Sequence, residues 1–574
     1  MVAIKLNAFG GTIPTTDDRL LPDNMAASAS NAWLHSGLLE GYRSPKLLHT
    51  CVLPAVKRVY RIPQNYVDQD HLPDSYWLEF LEKDVDVIHS PTANDSFERY
   101  YWAGQNVAPQ YNTLARIAAG SAPFILGVPA PTVAPGVTHT GGTGTTVSRA
   151  YVYTWVTAYG EEGPPSPPTI YSSHINATWN ITLTAPTGAD TTNRNLTKVR
   201  IYRTITSSAG VATYFLVTEL LNSVTTYADT LLDSAISGNN QLESTTWVAP
   251  PTDMKGMVSM ANGMVIGYRD NEILYAEPYR PHAWPVMYSL SVDFEIVGIG
   301  VIGQTAIICT QAATYAATGI NPSSVTLSKI STRDACLSRG GIVSTPDGVY
   351  YPTSRGLALA AAGQVVNVTE KLFSKDNWLD QFNVPHLRSA RLGSAYYTFG
   401  SISIGAFQED AFQNTAFELN DYTGATTGGA IDATDVRLAF MPLSSSYPTM
   451  NLYNDPWTNE VLVLRDNKVY WVDVAGDAAR EEYVWRSKRF QPTTKKNLEA
   501  MKVYFDNPEG LTSFGTIKIY ADGRLAATKT LLASGQLIRL PSGFKAEFWQ
   551  IEITSRVSIS SVQMATSVKE LASV

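Results

Sequence analysis

The segment MVSMANGMVIGYRDNEILYAEP, residues 257–278, carries the pattern that decides the fold of this 574-residue chain. Two turn dipeptides, Asn262-Gly263 and Asp270-Asn271, separate three short runs rich in Val, Ile, Met and Tyr. Asn, Asp and Gly tolerate the left-handed backbone of tight hairpin loops, whereas β-branched and aromatic residues favour strands. The segment therefore predicts a three-stranded antiparallel meander.

The same arrangement recurs through the C-terminal half of the chain. First turns occur at Gly263, Gly303, Gly348 and Gly393, which are 40, 45 and 45 residues apart, and a second turn follows within each unit. Short strands repeated at this period are typical of β-propeller blades, because a single blade cannot bury both faces and a ring of blades can. We therefore predict an all-β protein containing a β-propeller, with two stacked β-sandwiches as the alternative.

The domain plan follows from shifts in composition along the chain. A short helix is predicted over residues 25–32, where Asp23 or Asn24 precedes an Ala-rich run. The predicted domains are an N-terminal platform segment with this helix (1–56), the N-terminal part of the propeller (57–120), a Pro-, Gly- and Thr-rich linker (121–146), a β-sandwich (147–245), propeller blades (251–490) with a long Thr-, Gly- and Asp-rich excursion (401–450), and a C-terminal β-sandwich or platform (491–574).

The inserted segment 147–245 has the length of one β-sandwich. Its strand at 153–155, its turn at 160–165, its strand at 201–203 and its ending at 226–229 resemble a fibronectin type III-like module. The resemblance implies that aromatic residues of these strands, Trp155 and Tyr202 among them, are core residues.

Charge and cysteine content limit the classes of function. The net charge is −8 and the isoelectric point is about 5.6, so the chain lacks the overall basic character of proteins that bind nucleic acid tightly. Cys51, Cys309 and Cys336 are too few for a disulfide framework, which fits a reducing compartment. The first residues lack the pattern of a secretory signal, so no signal peptide is expected. No apolar run has the length of a membrane span, so no membrane span is expected.

Motifs of catalysis are scarce in the sequence. It contains no Walker motif, no H-E-x-x-H and no C-x-x-C. Asp84 and Asp86 are two positions apart, the spacing of side chains on one face of a strand. They are interpreted either as the paired carboxylates of a glycosidase or as part of a solvated strand edge. His282, between two prolines, is interpreted as a packed turn residue. We predict no catalytic, cofactor-binding or metal-binding residues, no cofactor, and a protein that is not an enzyme.

The stretch WRSKRFQPTTKK, residues 485–496, concentrates positive charge in an otherwise acidic chain. Such a stripe predicts a contact with DNA phosphates or with a neighbouring subunit, and a solvated strand-and-turn face is the alternative. The residues predicted to make this contact are Arg486, Lys488, Arg489, Lys495 and Lys496.

Recognisable landmarks lie along nearly the whole chain: FGGTIPTTDDRLLPDNMAASASNAWLHSGLLEGYRSP (9–45), YWLEF, RYYW, GVPAP, ILYAEPYRPHAWP (273–285), TSRGLAL and YVWRSKRF (483–490). Together they resemble the tail nozzle (tail tubular) proteins of short-tailed bacteriophages. The resemblance implies a structural virion protein, a hexameric ring on a β-propeller. This ring is attached to portal–adaptor proteins, meets tail fibres or spikes, and conducts double-stranded DNA at ejection. It implies location in the virion tail after assembly in the host cytoplasm. No catalytic residue is carried over, and the fibronectin-like insertion departs from the family.

The composition agrees with such a conduit. A lumen rich in Lys and Arg would bind every passing phosphate, whereas an acidic or neutral wall repels the DNA backbone. Heterologous interfaces generate rings, and 30 Tyr and 12 Trp suit large permanent interfaces. Two alternatives remain: a carbohydrate-binding or carbohydrate-cleaving propeller that recognises host glycans, and a fibre or tail adaptor away from the channel axis.

Overall fold

The structure is a computed structural model of the chain. The residues it describes are 4–34, 37–64, 75–206, 212–361, 363–392, 395–401, 412–419, 438–443, 451–472, 479–507 and 510–572.

The predicted all-β class is confirmed, because strands account for 47% of the residues and helices for 9%. Within the described ranges no helix has the length and apolar character needed to span a membrane. The α-helices are α1 (Leu114–Ala118), α2 (Gly188–Asn193), α3 (Asp233–Ile236), α4 (Lys375–Gln381) and α5 (Val568–Ala572).

The strands of the first 229 residues are short, apart from three in the inserted segment. They are β1 (Ile4–Leu6), β2 (Ala26–Ser30), β3 (Ala32–Trp33), β4 (Glu40–Gly41), β5 (Lys46–Thr50), β6 (Arg58–Pro63), β7 (Ser75–Phe80), β8 (Asp86–His89), β9 (Arg99–Ala103), β10 (Gln110–Thr113), β11 (Phe124–Ile125), β12 (Gly136–Thr140), β13 (Thr146–Thr157), β14 (Thr169–His174), β15 (Thr178–Thr182), β16 (Leu196–Thr206), β17 (Ala212–Leu221) and β18 (Thr226–Asp229).

The remaining strands follow closely on one another. They are β19 (Lys255–Ser259), β20 (Val265–Arg269), β21 (Glu272–Tyr275), β22 (Leu290–Ser291), β23 (Ile296–Ile302), β24 (Thr305–Thr310), β25 (Thr314–Thr318), β26 (Thr326–Ser331), β27 (Val343–Thr345), β28 (Gly348–Thr353), β29 (Gly356–Ala361), β30 (Gln364–Asn367), β31 (Arg388–Leu392), β32 (Ala395–Ser401), β33 (Phe412–Leu419), β34 (Leu438–Leu443), β35 (Asn451–Asn454), β36 (Val461–Arg465), β37 (Lys468–Trp471), β38 (Tyr483–Ser487), β39 (Ala500–Asp506), β40 (Thr516–Ala521), β41 (Arg524–Thr530), β42 (Ile538–Arg539), β43 (Trp549–Ser555) and β44 (Ser558–Ala565).

The chain divides into two compact units, which are described separately. The first comprises residues 1–83, 309–315 and 329–574, and the second comprises 84–308 and 316–328.

The second unit contains two four-stranded meanders in chain order, β8–β11 and β19–β22. Their first strands, β8 and β19, pack side by side, and β19 also packs against β23, the first strand of the meander β23–β26. The β19–β20 connection uses Asn262 and Gly263 at φ 62° and 69°, the left-handed conformation that this dipeptide predicts. Meanders whose first strands are neighbours agree with the predicted propeller; the closed ring itself stays a prediction.

A β-sandwich in the second unit occupies the inserted segment. One sheet has the order β12-β15-β18 and the other β14-β13-β16-β17. Its core contains Trp155, Tyr153 and the fully buried Trp179. Gly127 and Ala249, which flank the sandwich, are in close approach, since a Cβ on Gly127 would lie 2.7 Å from the Cα of Ala249. The chain therefore enters and leaves this sandwich at neighbouring points.

The first unit contains the meanders β27–β30 and β31–β34, the sheet β35-β36-β37-β5 and the hairpin β6–β7. The first strands β27, β31 and β35 are neighbours in that order. The fourth strand of the last sheet is β5, whose Thr50 and Lys46 pair with Lys468 and Trp471. A strand from the predicted platform segment thus completes a sheet of the C-terminal half.

Both chain termini meet in a second sandwich of the first unit, which we call the termini sandwich. Its sheets have the orders β1-β44-β39-β42 and β2-β38-β43-β40-β41. Its core includes Trp485, Trp549 and Ile551, all at most 1% exposed. It therefore takes β1, β2 and β38 from outside the predicted C-terminal domain at 491–574.

The predicted helix over residues 25–32 is wrong. Residues 26–30 form β2, and Ala29 pairs with Trp485 of β38. An isolated helix of two turns is marginal even for Ala-rich sequences. Ladder hydrogen bonds and burial of Ala26 and Ala29 at the sandwich therefore outweigh helix propensity.

Two other predicted features take part in sheets. The segment 121–146, predicted as a linker, supplies β11 and β12, so its Pro and Gly residues shape the path between strands. The predicted excursion at 401–450 supplies β33 and β34 to the β31–β34 sheet. The rest of that segment, including residues 420–435 with the sequence NDYTGATTGGAIDATD, lies outside the described residues.

Candidate functional site

The predicted basic stripe lies on the termini sandwich. In β38 the side chains of Tyr483, Trp485 and Ser487 are buried, and those of Val484 and Arg486 between them are partly exposed. This alternation follows from the two-residue period of a strand. The sandwich core therefore determines that Arg486 and Lys488 face outward.

Arg486 belongs to a polar face that runs across three strands. It pairs in register with Glu552 of β43, which pairs in turn with Lys518 of β40. The Arg486 guanidinium donates to Gln550 Oε1 at 3.1 Å and lies 4.3 Å from the Tyr520 ring centre. Lys518 Nζ is 2.8 Å from Glu552 Oε1, and this hydrogen bond raises the pKa of Lys518.

Lys488 and Arg489 are paired with acidic residues of the N-terminal segment. Lys488 Nζ lies 3.0 Å from Asp23 Oδ1, and Arg489 Nε lies 2.9 Å from Asp18 Oδ2. The Arg489 backbone N–H also donates to the Asp18 carbonyl at 3.1 Å. About half of the Arg489 side chain stays exposed, whereas Lys488 is mostly covered. Both cations therefore carry a counter-charge within the chain.

The last two predicted residues differ in their contacts. Lys495 is exposed, and its Nζ lies 3.6 Å from Glu547 Oε2. Lys496 exchanges backbone hydrogen bonds with Ala546, and its carbonyl accepts from Trp549 Nε1 at 3.3 Å. The structure thus brings all five predicted residues to one sandwich.

Acidic residues interleave with these cations. Asp18, Asp23, Glu547 and Glu552 were not assigned to this surface from the sequence. We call these four residues, together with Arg486, Lys488, Arg489, Lys495 and Lys518, the charged strip. Asp18 and Asp23 are more than 400 positions from their partners, and no local signal in the sequence marks that pairing. Because charges of both signs alternate along it, the charged strip resembles the polar rim of a protein interface more than a phosphate-binding groove.

Other singled-out residues have structural environments. His282 is 5% exposed and contacts the Trp247 ring at a centroid distance of 6.0 Å, and burial lowers its pKa to about 3. This agrees with its interpretation as a packed turn residue. Of the predicted carboxylate pair, only Asp86 lies within β8, while Asp84 precedes it. The pair therefore does not share the face of one strand, as the sequence spacing had indicated.

The aromatic residues expected in the inserted core are buried. Trp155 is 7% exposed and Tyr202 is 2% exposed. The Tyr202 hydroxyl donates to Glu162 Oε1 at 2.8 Å, and Glu162 also pairs with Arg200 at 2.6 Å.

Buried charges elsewhere are paired within the fold. Arg61 and Asp455, both fully buried, form a two-pronged pair at 2.8 and 2.7 Å. Arg203, also fully buried, contacts Asp229 Oδ2 at 2.5 Å, and that oxygen accepts from the Tyr151 hydroxyl at 2.8 Å. A carboxylate that is held by two hydrogen bonds in this way fixes the relative position of the strands that carry the partners.

A further buried ion pair lies in the second unit. Arg99 contacts Asp95 at 2.7 Å and Glu161 at 2.9 Å. Burial raises the pKa of Glu161 despite the nearby Arg99. The cluster joins β9 to the turn at the end of β13, so it serves the packing of the inserted sandwich on the β8–β11 sheet.

One group of side chains in the part of the chain that the structure describes brings three metal-ligating atoms together. The donor atoms of His49, Cys51 and Glu79 all lie within 4.8 Å of one another. Burial, together with the Glu79 charge, raises the pKa of Cys51 to about 12. No metal-binding residues were predicted from the sequence, in which Glu79 lies 28 positions after Cys51 and on another strand.

Comparisons with known proteins give distant structural matches. The chain matches no protein-family model and no curated protein sequence. Among solved structures, it is similar to the extracellular domain of a one-component system, BT4673, from B. thetaiotaomicron, at 13% identity and a TM-score of 0.22, over 59% of this chain and 46% of that one. A second structure, of the extracellular domain of a hybrid two-component system BT4673 from the same organism, matches at 11% identity and a TM-score of 0.24, over 66% and 45%. The chain thus spans about half the length of either structure.

Proposed function

We propose that the chain is a structural virion protein of a short-tailed bacteriophage, a subunit of the hexameric tail nozzle that conducts double-stranded DNA at ejection. The proposal rests on the resemblance of the sequence landmarks, and a feature of the fold supports it. Under this proposal the chain forms part of the wall of the DNA channel and does not act as an enzyme.

The feature of the fold that supports the proposal is the succession of four-stranded meanders with neighbouring first strands. Within the first unit these are β27–β30, β31–β34 and β35–β37 with β5, and within the second unit β8–β11 and β19–β22. Such sheets bury their faces against each other and form a stiff wall, which a conduit under pressure requires. The N-terminal strand β5 completes the last of the sheets in the first unit, so this sheet joins an early and a late segment of the chain through one ladder.

The charged strip supports contact with a neighbouring subunit over contact with DNA. Lys488, Arg489 and Lys495 each face a carboxylate of the same chain, which lowers the positive potential available to phosphates. A mixed-sign surface suits an interface whose register depends on complementary charges. In this proposal the strip lies at a subunit boundary and the DNA passes a wall of low positive charge.

Electron microscopy of the purified chain and of phage particles tests the proposal. We expect sixfold rings, and density for this chain on the tail axis below the portal–adaptor assembly. The double variant Arg489→Glu/Lys495→Glu is expected to lower the fraction of rings, while Arg524→Glu on β41 of the same sandwich serves as the matched control. A chain that stays monomeric and is absent from particles would overturn the proposal. Density off the axis would favour the adaptor alternative, and glycan cleavage by the purified chain would favour the carbohydrate alternative.

A further inference from the structure

The group formed by His49, Cys51 and Glu79 is held in place by three separate elements of the first unit. His49 lies in β5, opposite Val469 of β37, and Glu79 lies in β7, opposite Val59 of β6. Cys51 follows β5, and its backbone N–H donates to the Asn467 carbonyl at 2.8 Å. The three donors therefore come from a paired strand, a second paired strand and a loop tied to a turn.

The loop after Cys51 has a fixed shape. The side chain of Asn467, in the β36–β37 turn, accepts from the Val56 N–H at 2.8 Å and donates to the Leu53 carbonyl at 2.5 Å. Asn467 has a φ of 60°, which suits an Asn in a tight hairpin turn. The loop thus presents Cys51 from one defined direction, as a preformed ligand site requires.

Both other donors are oriented by neighbours. The His49 ring stacks on Trp77 with centroids 4.8 Å apart and planes 9° apart, and its Nε2 lies 3.0 Å from Glu79 Oε1. Trp77 and Glu79 are two positions apart in β7 and share one face. The Glu79 carboxylate also accepts from the N–H groups of Val52 and Leu53 at 2.7–2.9 Å. The Trp77 stacking and the backbone N–H contacts lie outside the set of three donors, and outer contacts of this kind orient metal ligands.

We propose that His49, Cys51 and Glu79 bind one divalent transition-metal ion of the zinc class, with the fourth coordination position open to solvent. An imidazole nitrogen, a thiolate and a carboxylate form a mixed donor set that suits Zn²⁺ and disfavours Ca²⁺ and Mg²⁺, which prefer oxygen ligands. Donors on one tetrahedral zinc lie about 3.5 Å apart, given bonds of about 2.0–2.3 Å. In the structure the three donor atoms lie within 4.8 Å of one another, and His49 Nε2 and Glu79 Oε1 are 3.0 Å apart.

Access and charge agree with this assignment. The His49 side chain is 21% exposed and that of Glu79 is 8% exposed, so the group lies just beneath the surface. Binding releases the thiol proton of Cys51 to solvent, and the metal supplies the positive charge that stabilises the resulting thiolate beside Glu79. The bound ion would tie β5 to β7 at the sheet that the N-terminal strand completes. This inference does not depend on the proposed function.

The test uses the full-length chain stripped of metal with a chelator and titrated with Co²⁺ and Zn²⁺. We expect one equivalent of Co²⁺ with a thiolate-to-metal charge-transfer absorption, displaced by one equivalent of Zn²⁺. Cys51→Ser is expected to abolish the absorption and to weaken Zn²⁺ binding at least tenfold. Glu79→Gln is expected to weaken Zn²⁺ binding to a smaller degree. Cys336→Ser, at a buried thiol of the same unit, is the matched control and should keep both signals.

A second measurement needs no variant. One equivalent of Zn²⁺ should protect Cys51 of the wild-type chain from alkylation, and Mg²⁺ at the same concentration should not. Absence of saturable Co²⁺ binding by the folded wild-type chain, or an absorption that survives Cys51→Ser, would overturn the metal site. Equal alkylation with and without Zn²⁺ would overturn it as well, and the carboxylate would then serve only to hold the loop after β5.

Discussion

The inserted sandwich (β12–β18) and the termini sandwich (β1, β2, β38–β44) both pack two antiparallel sheets, but two of their ion pairs differ in burial. In the inserted sandwich, Arg203 and Asp229 are fully buried and meet inside the core. In the termini sandwich, charged pairs such as Lys518–Glu552 lie on the surface, and Trp485 and Trp549 fill the core. Both cores are apolar, and the core of the inserted sandwich also holds this fully buried ion pair.

The two sandwiches also differ in how the chain builds them. The inserted sandwich is one continuous segment whose ends meet near Gly127 and Ala249. The termini sandwich joins β1 to β44 and β2 to β38, across more than 400 residues of chain. Continuity allows a sandwich to be removed as a unit, whereas a discontinuous one couples the two ends of the protein.

The largest effect is expected from removing residues 1–34. This deletion removes β1 and β2, so backbone hydrogen-bonding groups on one edge of β44 and of β38 lose their partners. It also leaves a cavity where the buried Ile4 and Leu6 side chains packed. We expect loss of the cooperative unfolding transition of the first unit, measured by circular dichroism and hydrogen exchange. The matched change replaces residues 128–246 with Gly-Ser and should leave that transition in place. Equal damage by the two deletions would contradict the contrast.

A smaller loss is expected from Asp229→Ala in the inserted sandwich. The change removes the buried partner of the Arg203 guanidinium and the acceptor of the Tyr151 hydroxyl, and leaves Arg203 only its contact with Asp233 at 3.0 Å. We expect a cost of about 3 kcal/mol, the lower end of the range for breaking a buried pair. Hydrogen exchange of the β13 and β16 amides measures this local free energy of opening. Lys488→Ala, at a surface pair of the termini sandwich, is the control and should cost about 1 kcal/mol or less. An Asp229→Ala cost no larger than that of the control would show that the buried pair is dispensable.

His282 predicts a dependence of stability on pH. Its pKa is lowered to about 3 in the folded chain, so between pH 3 and about 6.5 the unfolded chain binds more protons and stability falls as pH falls. From pH 7 to pH 5 this loss amounts to about 2 kcal/mol. Denaturant unfolding of wild type and His282→Gln at both pH values measures the difference. The variant should lose about 2 kcal/mol less than wild type, and identical pH profiles would contradict the assignment.

The smallest effect is expected from Glu552→Gln on the charged strip. Lys518 and Glu552 lie at the surface of the termini sandwich, where a single ion pair contributes about 1 kcal/mol or less and salt screens it. We expect a small loss of unfolding free energy at low salt that disappears at high salt. A loss comparable to that of Asp229→Ala would mean that surface charge stabilises this sandwich as strongly as a buried pair stabilises the other.

Local structure in this protein was predictable where a few neighbouring residues determine it. The Asn262-Gly263 turn and the alternation of Tyr483 and Trp485 in β38 are local features, and the structure has both. The helix over residues 25–32 was predicted from local propensity, and pairing with β38 overrides it. Propensity is a weak determinant when a distant strand offers a full ladder of hydrogen bonds.

The candidate sites divide in the same way. The positive charges of Arg486, Lys488 and Arg489 were visible in the sequence, but Asp18 and Asp23 were not assigned to them. The spacing of His49 and Cys51 places both on one short stretch, yet only the pairing of β6 with β7 brings Glu79 to them. Contacts between distant segments depend on sheet register, which no single segment encodes.

By itself the sequence determined the all-β class and tight turns such as Asn262-Gly263 and Asp270-Asn271, because these follow from side-chain shape and backbone preferences over a few residues. The turn predicted at Gly393 lies outside the described residues. Only the tertiary structure decided that β5 completes the sheet of β35–β37, that both termini build one sandwich, and that the basic stripe meets acidic partners. The physical reason is that each of these features is stabilised by burial and pairing between segments hundreds of residues apart, and that energy exists only once the chain has folded.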